Sequence, residues 1–170
     1  RSLVMSDAEK DAVIERVVQR VNGRVPVIAG TGGNDTRKTI AAARRAKALG
    51  ADAQLCVTPY YNKTTPHGLI AHYTAIAEDG SLPVIIYNVP ARTGLNMKPE
   101  TLAALAKHPN IVGMKEASGD ISQALEMVRL CGDDLAFYSG NDNNVTPLLS
   151  LGFDGVISVA ANVAPKLMRD

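Results

Sequence analysis

Short β-branched runs alternate along this chain with segments of helical period. The runs are Val25–Ala29, Ala53–Thr58, Pro83–Tyr87, Ile111–Lys115, Leu135–Ser139 and Gly155–Val159. They begin roughly every 20 to 30 residues, the length of a strand–loop–helix unit. The first helix is explicit: Ile14, Val17, Val18 and Val21 share one face after a capping box of Ser6 and Glu9, and the pattern stops at Asn22 and Gly23. A second helix runs from about Thr36 to Leu49, before Gly50, and a third from about Gly68 to Glu78, before Gly80. Pro99 suits the first turn of a fourth helix carrying Leu102 and Leu105, and Asp120 can cap a fifth carrying Ile121, Leu125 and Val128. A sixth holds Val145, Leu148 and Leu149.

Alternating strands and helices, with strands apolar on both faces, predict an α/β protein whose parallel sheet is covered by helices. A doubly wound open sheet and a (β/α)8 TIM barrel both satisfy this pattern. Even unit lengths and polar or reactive residues at nearly every strand's C-terminal end favour the barrel. Six strands fall where a barrel has eight, and the chain opens on a helix with no strand before it. The expectation is therefore that residues 1–170 are a partial TIM-barrel catalytic domain holding strands 3–8, without the first two strands and the C-terminal helices. No internal linker or low-complexity stretch interrupts it.

Composition narrows the function classes. Of 170 residues, 46 % are hydrophobic, which excludes a disordered tail, and a net charge of +1 with no basic cluster excludes an electrostatic nucleic-acid binder. The apolar stretch Ala51–Asn62 is broken by Asp52, Gln54 and Pro59, short of the roughly 18 residues of a membrane span. Arg1–Lys10 carries no apolar signal region, so a cytoplasmic protein is expected. Cys56 and Cys131 read as free thiols, and His67, His72 and His108 show no metal-ligand spacing with them.

Candidate chemistry gathers at the strand ends. Gly30-Thr31-Gly32-Gly33-Asn34 lacks both the dinucleotide and the P-loop pattern, and reads as a tight strand-to-helix turn. Lys115 ends the run Ile111-Val112-Gly113-Met114, where apolar surroundings disfavour the ammonium and leave an amine able to attack a carbonyl; the competing role is a rim lysine paired with Glu116. Tyr87 ends the preceding strand, which places its ring beside Lys115 and its phenol where it can shuttle a carbinolamine proton. Arg92, in the loop Pro90-Ala91-Arg92-Thr93-Gly94, offers a planar fork for a carboxylate. Pro59-Tyr60-Tyr61-Asn62 adds two aromatics at another strand end.

Taken together, Gly30-Thr31-Gly32, Thr58-Pro59-Tyr60-Tyr61-Asn62, Tyr87-Asn88-Val89-Pro90-Ala91-Arg92-Thr93-Gly94, Gly113-Met114-Lys115-Glu116-Ala117-Ser118-Gly119 and Ser139-Gly140-Asn141-Asp142 resemble the 4-hydroxy-tetrahydrodipicolinate (dihydrodipicolinate) synthases. The resemblance runs over essentially the whole chain and includes the tyrosine-to-lysine spacing of 28 residues. It implies a Schiff-base lyase that condenses pyruvate with aspartate 4-semialdehyde on the diaminopimelate route to lysine, with no metal or organic cofactor. By the same resemblance Lys115 is the imine-forming lysine and Tyr87 the proton-transferring tyrosine. Tyr61 is lent across a dimer interface, Arg92 meets the substrate carboxylate, and Gly140 and Ile157 line the substrate site. A homo-oligomer, a dimer of dimers, follows.

N-acetylneuraminate and keto-sugar-acid lyases share the tyrosine and lysine, and remain the alternative enzymes; Ala91-Arg92-Thr93-Gly94 follows the synthase pattern instead. A non-catalytic truncated α/β module is the alternative outside enzymes. The family's Gly-Thr-Thr-Gly loop would fall just before Arg1, which stands where a glutamate is usual. Lysine-inhibited relatives bind their effector with side chains matching Asn34 and Tyr60 and with a glutamate at the position of Lys38. An ammonium at that position implies weak feedback inhibition.

Overall fold

The computed structural model describes residues 4–170, so Arg1 lies outside the described residues. Helix α1 (Asp7–Val21) opens on the capping box: the Ser6 side chain accepts from the Glu9 N–H while Glu9 Oε2 accepts from the Ser6 N–H at 2.7 Å, and the helix ends at Asn22 in the left-handed region. The order continues β1 (Ile28–Gly30), α2 (Thr36–Ala48), β2 (Ala53–Val57), α3 (Pro66–Asp79), β3 (Val84–Asn88), α4 (Pro90–Thr93), α5 (Pro99–Leu105), β4 (Ile111–Glu116), α6 (Ile121–Cys131), β5 (Ala136–Ser139), α7 (Val145–Ser150), β6 (Gly155–Val156) and α8 (Pro165–Arg169). The six strands are parallel and lie in sequential order, β1 to β6, forming a curled half-barrel.

Side-chain alternation sorts the sheet into two faces. Cys56, Ile86, Met114 and Phe137 are register partners across β2 to β5, and all are buried in the core under the helices. Tyr73 and Ile76 of α3, Leu102 and Leu105 of α5 and Met127 of α6 close that core from outside. Tyr73 also hydrogen-bonds the Cys56 carbonyl at 3.1 Å, so its phenol is satisfied inside apolar surroundings. One residue further along, Val57, Tyr87, Lys115 and Tyr138 are in register and share the opposite, inner face.

The β3–β4 pair carries a bulge. Val84 lies opposite Ile111, but Ile85 lies opposite Gly113, so Val112 is the extra residue. Gly113 is needed there, because a Cβ would stand 2.9 Å from the Ala136 carbonyl oxygen. Without the bulge Tyr87 would face Met114; with it, Tyr87 faces Lys115.

Some expected details change. The first strand is Ile28–Gly30 and the last Gly155–Val156, both shorter than their β-branched runs. The third helix starts earlier, at Pro66, with Thr65 accepting from the Gly68 N–H as its cap. In α6 the buried residues are Gln123, Ala124, Met127 and Cys131, whereas Leu125 is exposed. Leu149 of α7 is likewise exposed, with Leu148 in the core. The loop around Arg92 is one turn of helix, α4, begun by Pro90 and stopped by Gly94 at φ 69°. A last short helix, α8, follows the sixth strand. No helix among the described residues is long and apolar enough to cross a membrane.

Candidate active site

Lys115 stands at the C-terminal end of β4, 9 % exposed, with its Nζ 4.3 Å from the centroid of the Tyr87 ring. Three influences act on the amine. Burial lowers its pKa below the ordinary lysine value and the positive charge of Arg92 lowers it further, while Asp142 pulls the other way. The net shift is downward, toward a free amine. Tyr87 moves in the opposite direction, its phenol raised by burial and partly held down by Arg92, so the ring keeps its proton next to the lysine.

Arg92 projects from α4, exposed, close enough for its charge to act on both groups. Its position follows from local geometry: Pro90 presets the first turn and the Arg92 N–H donates to the Val89 carbonyl, which folds the segment back over the end of β3. Gly140 follows β5 and packs on the lysine stem. A Cβ at that position would lie 2.7 Å from the Ala117 Cβ and 3.1 Å from Lys115 Cε, so only glycine leaves the stem its place. Ile157, just past β6, donates its N–H to the Ser139 carbonyl at 2.9 Å and so continues the strand tip beside Gly140.

The structure thus brings Lys115, Tyr87, Arg92 and Gly140 together, with Ile157 on the adjoining strand. Tyr61 is apart from them: it is 90 % exposed and its φ is 69°, a left-handed backbone that bulky residues rarely adopt. Asn34, Lys38 and Tyr60 line a separate cleft of about 450 Å³ beside the turn Gly30-Thr31-Gly32-Gly33. In it Asn34 Nδ2 donates to the Tyr60 carbonyl at 3.3 Å. One side of that turn is packed against β2, where a Cβ on Gly32 would meet the Val57 nitrogen at 2.4 Å.

Glu116 is not the partner of Lys115. It sits on the outer face, where its Oε1 accepts from the Ser118 N–H and its Oε2 from Asn88 Nδ2. Burial pushes its carboxyl up and the donors from Ser118 and Asn88 oppose the rise. Sequence reasoning also misses Tyr138, which lies directly opposite Lys115 on β5; its place at the same offset from a strand end is the available signal. Asp142 enters the sequence reading only as part of a motif. Its Oδ2 accepts from the Val159 and Ala160 N–H groups at 3.2 and 3.0 Å, fixing a carboxylate within electrostatic reach of Lys115.

A sequence profile of the Dihydrodipicolinate synthetase family matches residues 1–170. The 4-hydroxy-tetrahydrodipicolinate synthase of Geotalea daltonii is 57 % identical over 158 residues, covering 93 % of this chain and 54 % of its own length. Among solved structures, the chloride-inhibited dihydrodipicolinate synthase of Acinetobacter baumannii complexed with pyruvate superposes with a TM-score of 0.97 at 48 % identity, over 99 % of this chain and 58 % of that one. The Cyanidioschyzon merolae enzyme with lysine bound gives 0.93 at 43 % identity, over 99 % and 58 %. This chain therefore spans a little over half the length of the relatives it matches. Profile, identity and superposition agree across that span, and the chain belongs to the dihydrodipicolinate synthetase family.

Proposed function

We propose that the whole protein carrying this chain is a Schiff-base lyase that condenses pyruvate with aspartate 4-semialdehyde to 4-hydroxy-tetrahydrodipicolinate, in the cytoplasm, on the route to diaminopimelate and lysine. The observation that carries this reading is the buried Lys115 amine, its pKa lowered, 4.3 Å from the Tyr87 ring at adjacent tips of parallel strands. The neutral amine attacks the keto carbon of pyruvate, forming the C–N bond of a carbinolamine. Tyr87 relays the proton from nitrogen to the departing oxygen, and water leaves as the imine forms. The protonated imine loses a methyl proton to give an enamine, whose carbon attacks the aldehyde of the second substrate as the aldehyde oxygen takes up a proton. The amino group of that substrate then attacks the imine carbon, closing the ring and releasing Lys115 as its amine. Arg92 holds a substrate carboxylate through its fork, and Gly140 and Ile157 bound the site. Tyr61 serves a neighbouring subunit's proton relay in a homo-oligomer, a dimer of dimers; its exposure and strained backbone support that role.

Borohydride added with pyruvate to the full-length protein should leave one reduced pyruvate per chain on Lys115, located by peptide mass. Lys115→Ala should take no label, and label persisting in that variant would place the nucleophile elsewhere.

A further inference from the structure

The outer face of the same strand tips holds a buried polar circuit that the proposed chemistry does not use. Asn88 and Glu116, one residue beyond Tyr87 and Lys115, are register partners, 0 % and 3 % exposed. Asn88 Nδ2 donates to Glu116 Oε2 at 3.0 Å and to Asn96 Oδ1 at 2.8 Å. Asn88 Oδ1 accepts from the Met97 N–H at 3.0 Å, and Glu116 Oε1 accepts from the Ser118 N–H at 2.6 Å. Asn96 and Gln123 close the circuit as a reciprocal amide pair at 2.9 and 3.0 Å.

The direction of this circuit is fixed at both ends. A backbone N–H can only donate, so Met97 turns the Asn88 oxygen toward itself and the Asn88 amine toward Glu116. Ser118 fixes the other end in the same way. Both Glu116 oxygens therefore accept, which is the pattern of a carboxylate; an amide in its place would set a donor against a donor. The circuit ties β3, β4, the segment before α5 and the first turn of α6 at one level, immediately behind the reactive pair.

We propose that Glu116, acting through Asn88, is a positioning residue for Lys115: the circuit locks the bulged β3–β4 register that sets Tyr87 against the lysine amine. This rests on the Schiff-base reading above. The backbone on either side of Lys115 is then held by groups that never touch substrate, and a shift of the strand tips separates amine from phenol.

The fixed polarity supplies the test. Glu116→Gln breaks one hydrogen bond, and Asn88→Asp sets two carboxylates face to face. In the double variant every bond can form again, those between side chains with reversed direction and those from the Met97 and Ser118 N–H groups unchanged. The amide introduced on β4 donates to the carboxylate introduced on β3, that carboxylate still accepts from the Met97 N–H, and the Asn96 and Gln123 amides both turn over. Pyruvate–borohydride trapping on the full-length protein is the readout, with thermal unfolding alongside. Each single variant should lose roughly 10- to 100-fold in maximal trapping rate with the half-saturating pyruvate concentration changed less than about threefold. The double variant should return to within about fivefold of wild type. A wild-type-like rate in Glu116→Gln overturns the inference, as does a double variant that recovers thermal stability but not trapping rate. If the single variants do not fold, a folded and trapping-competent double variant supports the inference and an unfolded one overturns it. Wild-type protein that takes no label overturns the Schiff-base reading itself, which a failure of the variants alone leaves standing.

Discussion

At the scale of single residues, the site is an electrostatic balance centred on one amine. Burial and Arg92 favour neutral Lys115, and Asp142 favours the ammonium. In the proposed chemistry the neutral form attacks pyruvate, so trapping measured at low pyruvate should rise with pH through the lysine's own pKa, below the ordinary 10.5. Asp142→Asn removes the group that raises it and should move that rise to lower pH; Arg92→Ala should move it to higher pH. Shifts in the same direction would contradict the balance. Folding is linked to the same proton. The unfolded chain keeps it up to about pH 10.5 while the folded chain releases it earlier, so Lys115 contributes stability that increases with pH across that window.

At the scale of elements, α6 carries its own start signal, with Asp120 accepting from the Gln123 N–H at 3.0 Å. Asp120→Ala should cost about 1 kcal/mol in urea unfolding, and an unchanged midpoint would mean that the helix end is held otherwise. The cap, the Pro99 start of α5 and the strand order are legible in the sequence, because turn chemistry and hydrophobic period are local signals; the starts of α3 at Pro66 and α4 at Pro90 are not. The α6 face is not. Leu125 looks like core by type, yet Gln123 takes the buried position, since the Asn96 pair satisfies its amide and hydrophobicity alone cannot register a partner 27 residues away. The bulge at Val112 is equally silent. The spacing of 28 residues between Tyr87 and Lys115 is visible, but which register it produces depends on an extra residue that no local pattern marks. Lys115 and Tyr87 stand out because both end β-branched runs; Glu116 fails as the lysine's partner because neighbours in sequence point to opposite faces of a strand.

At the scale of the whole molecule, the cleft beside the Gly30–Gly33 turn bears on regulation. Lys38 lines the cleft with Asn34 and Tyr60, at the position where the resemblance puts an acid in lysine-inhibited relatives. Two ammonium groups at about 4 Å repel by roughly 1 kcal/mol in water and by more at a dry interface. Inhibition of the full-length protein's proposed activity by lysine should therefore have a midpoint above about 1 mM, an affinity weaker than roughly 4 kcal/mol. A tighter curve would show that other groups serve the effector.

Tyr61 carries the last consequence. A tyrosine at φ 69° with 90 % of its surface exposed is held in a costly conformation, with almost nothing among the described residues to rest on. Contacts from a neighbouring copy would offset that cost, and their loss would let the Tyr60–Asn62 turn relax while the barrel stays folded. Dilution then becomes a means of control: specific activity should fall as the protein concentration drops through the dissociation range, with no change in helical circular dichroism, and return on reconcentration. Constant specific activity across subunit dissociation, followed by sedimentation, would show that each copy works alone.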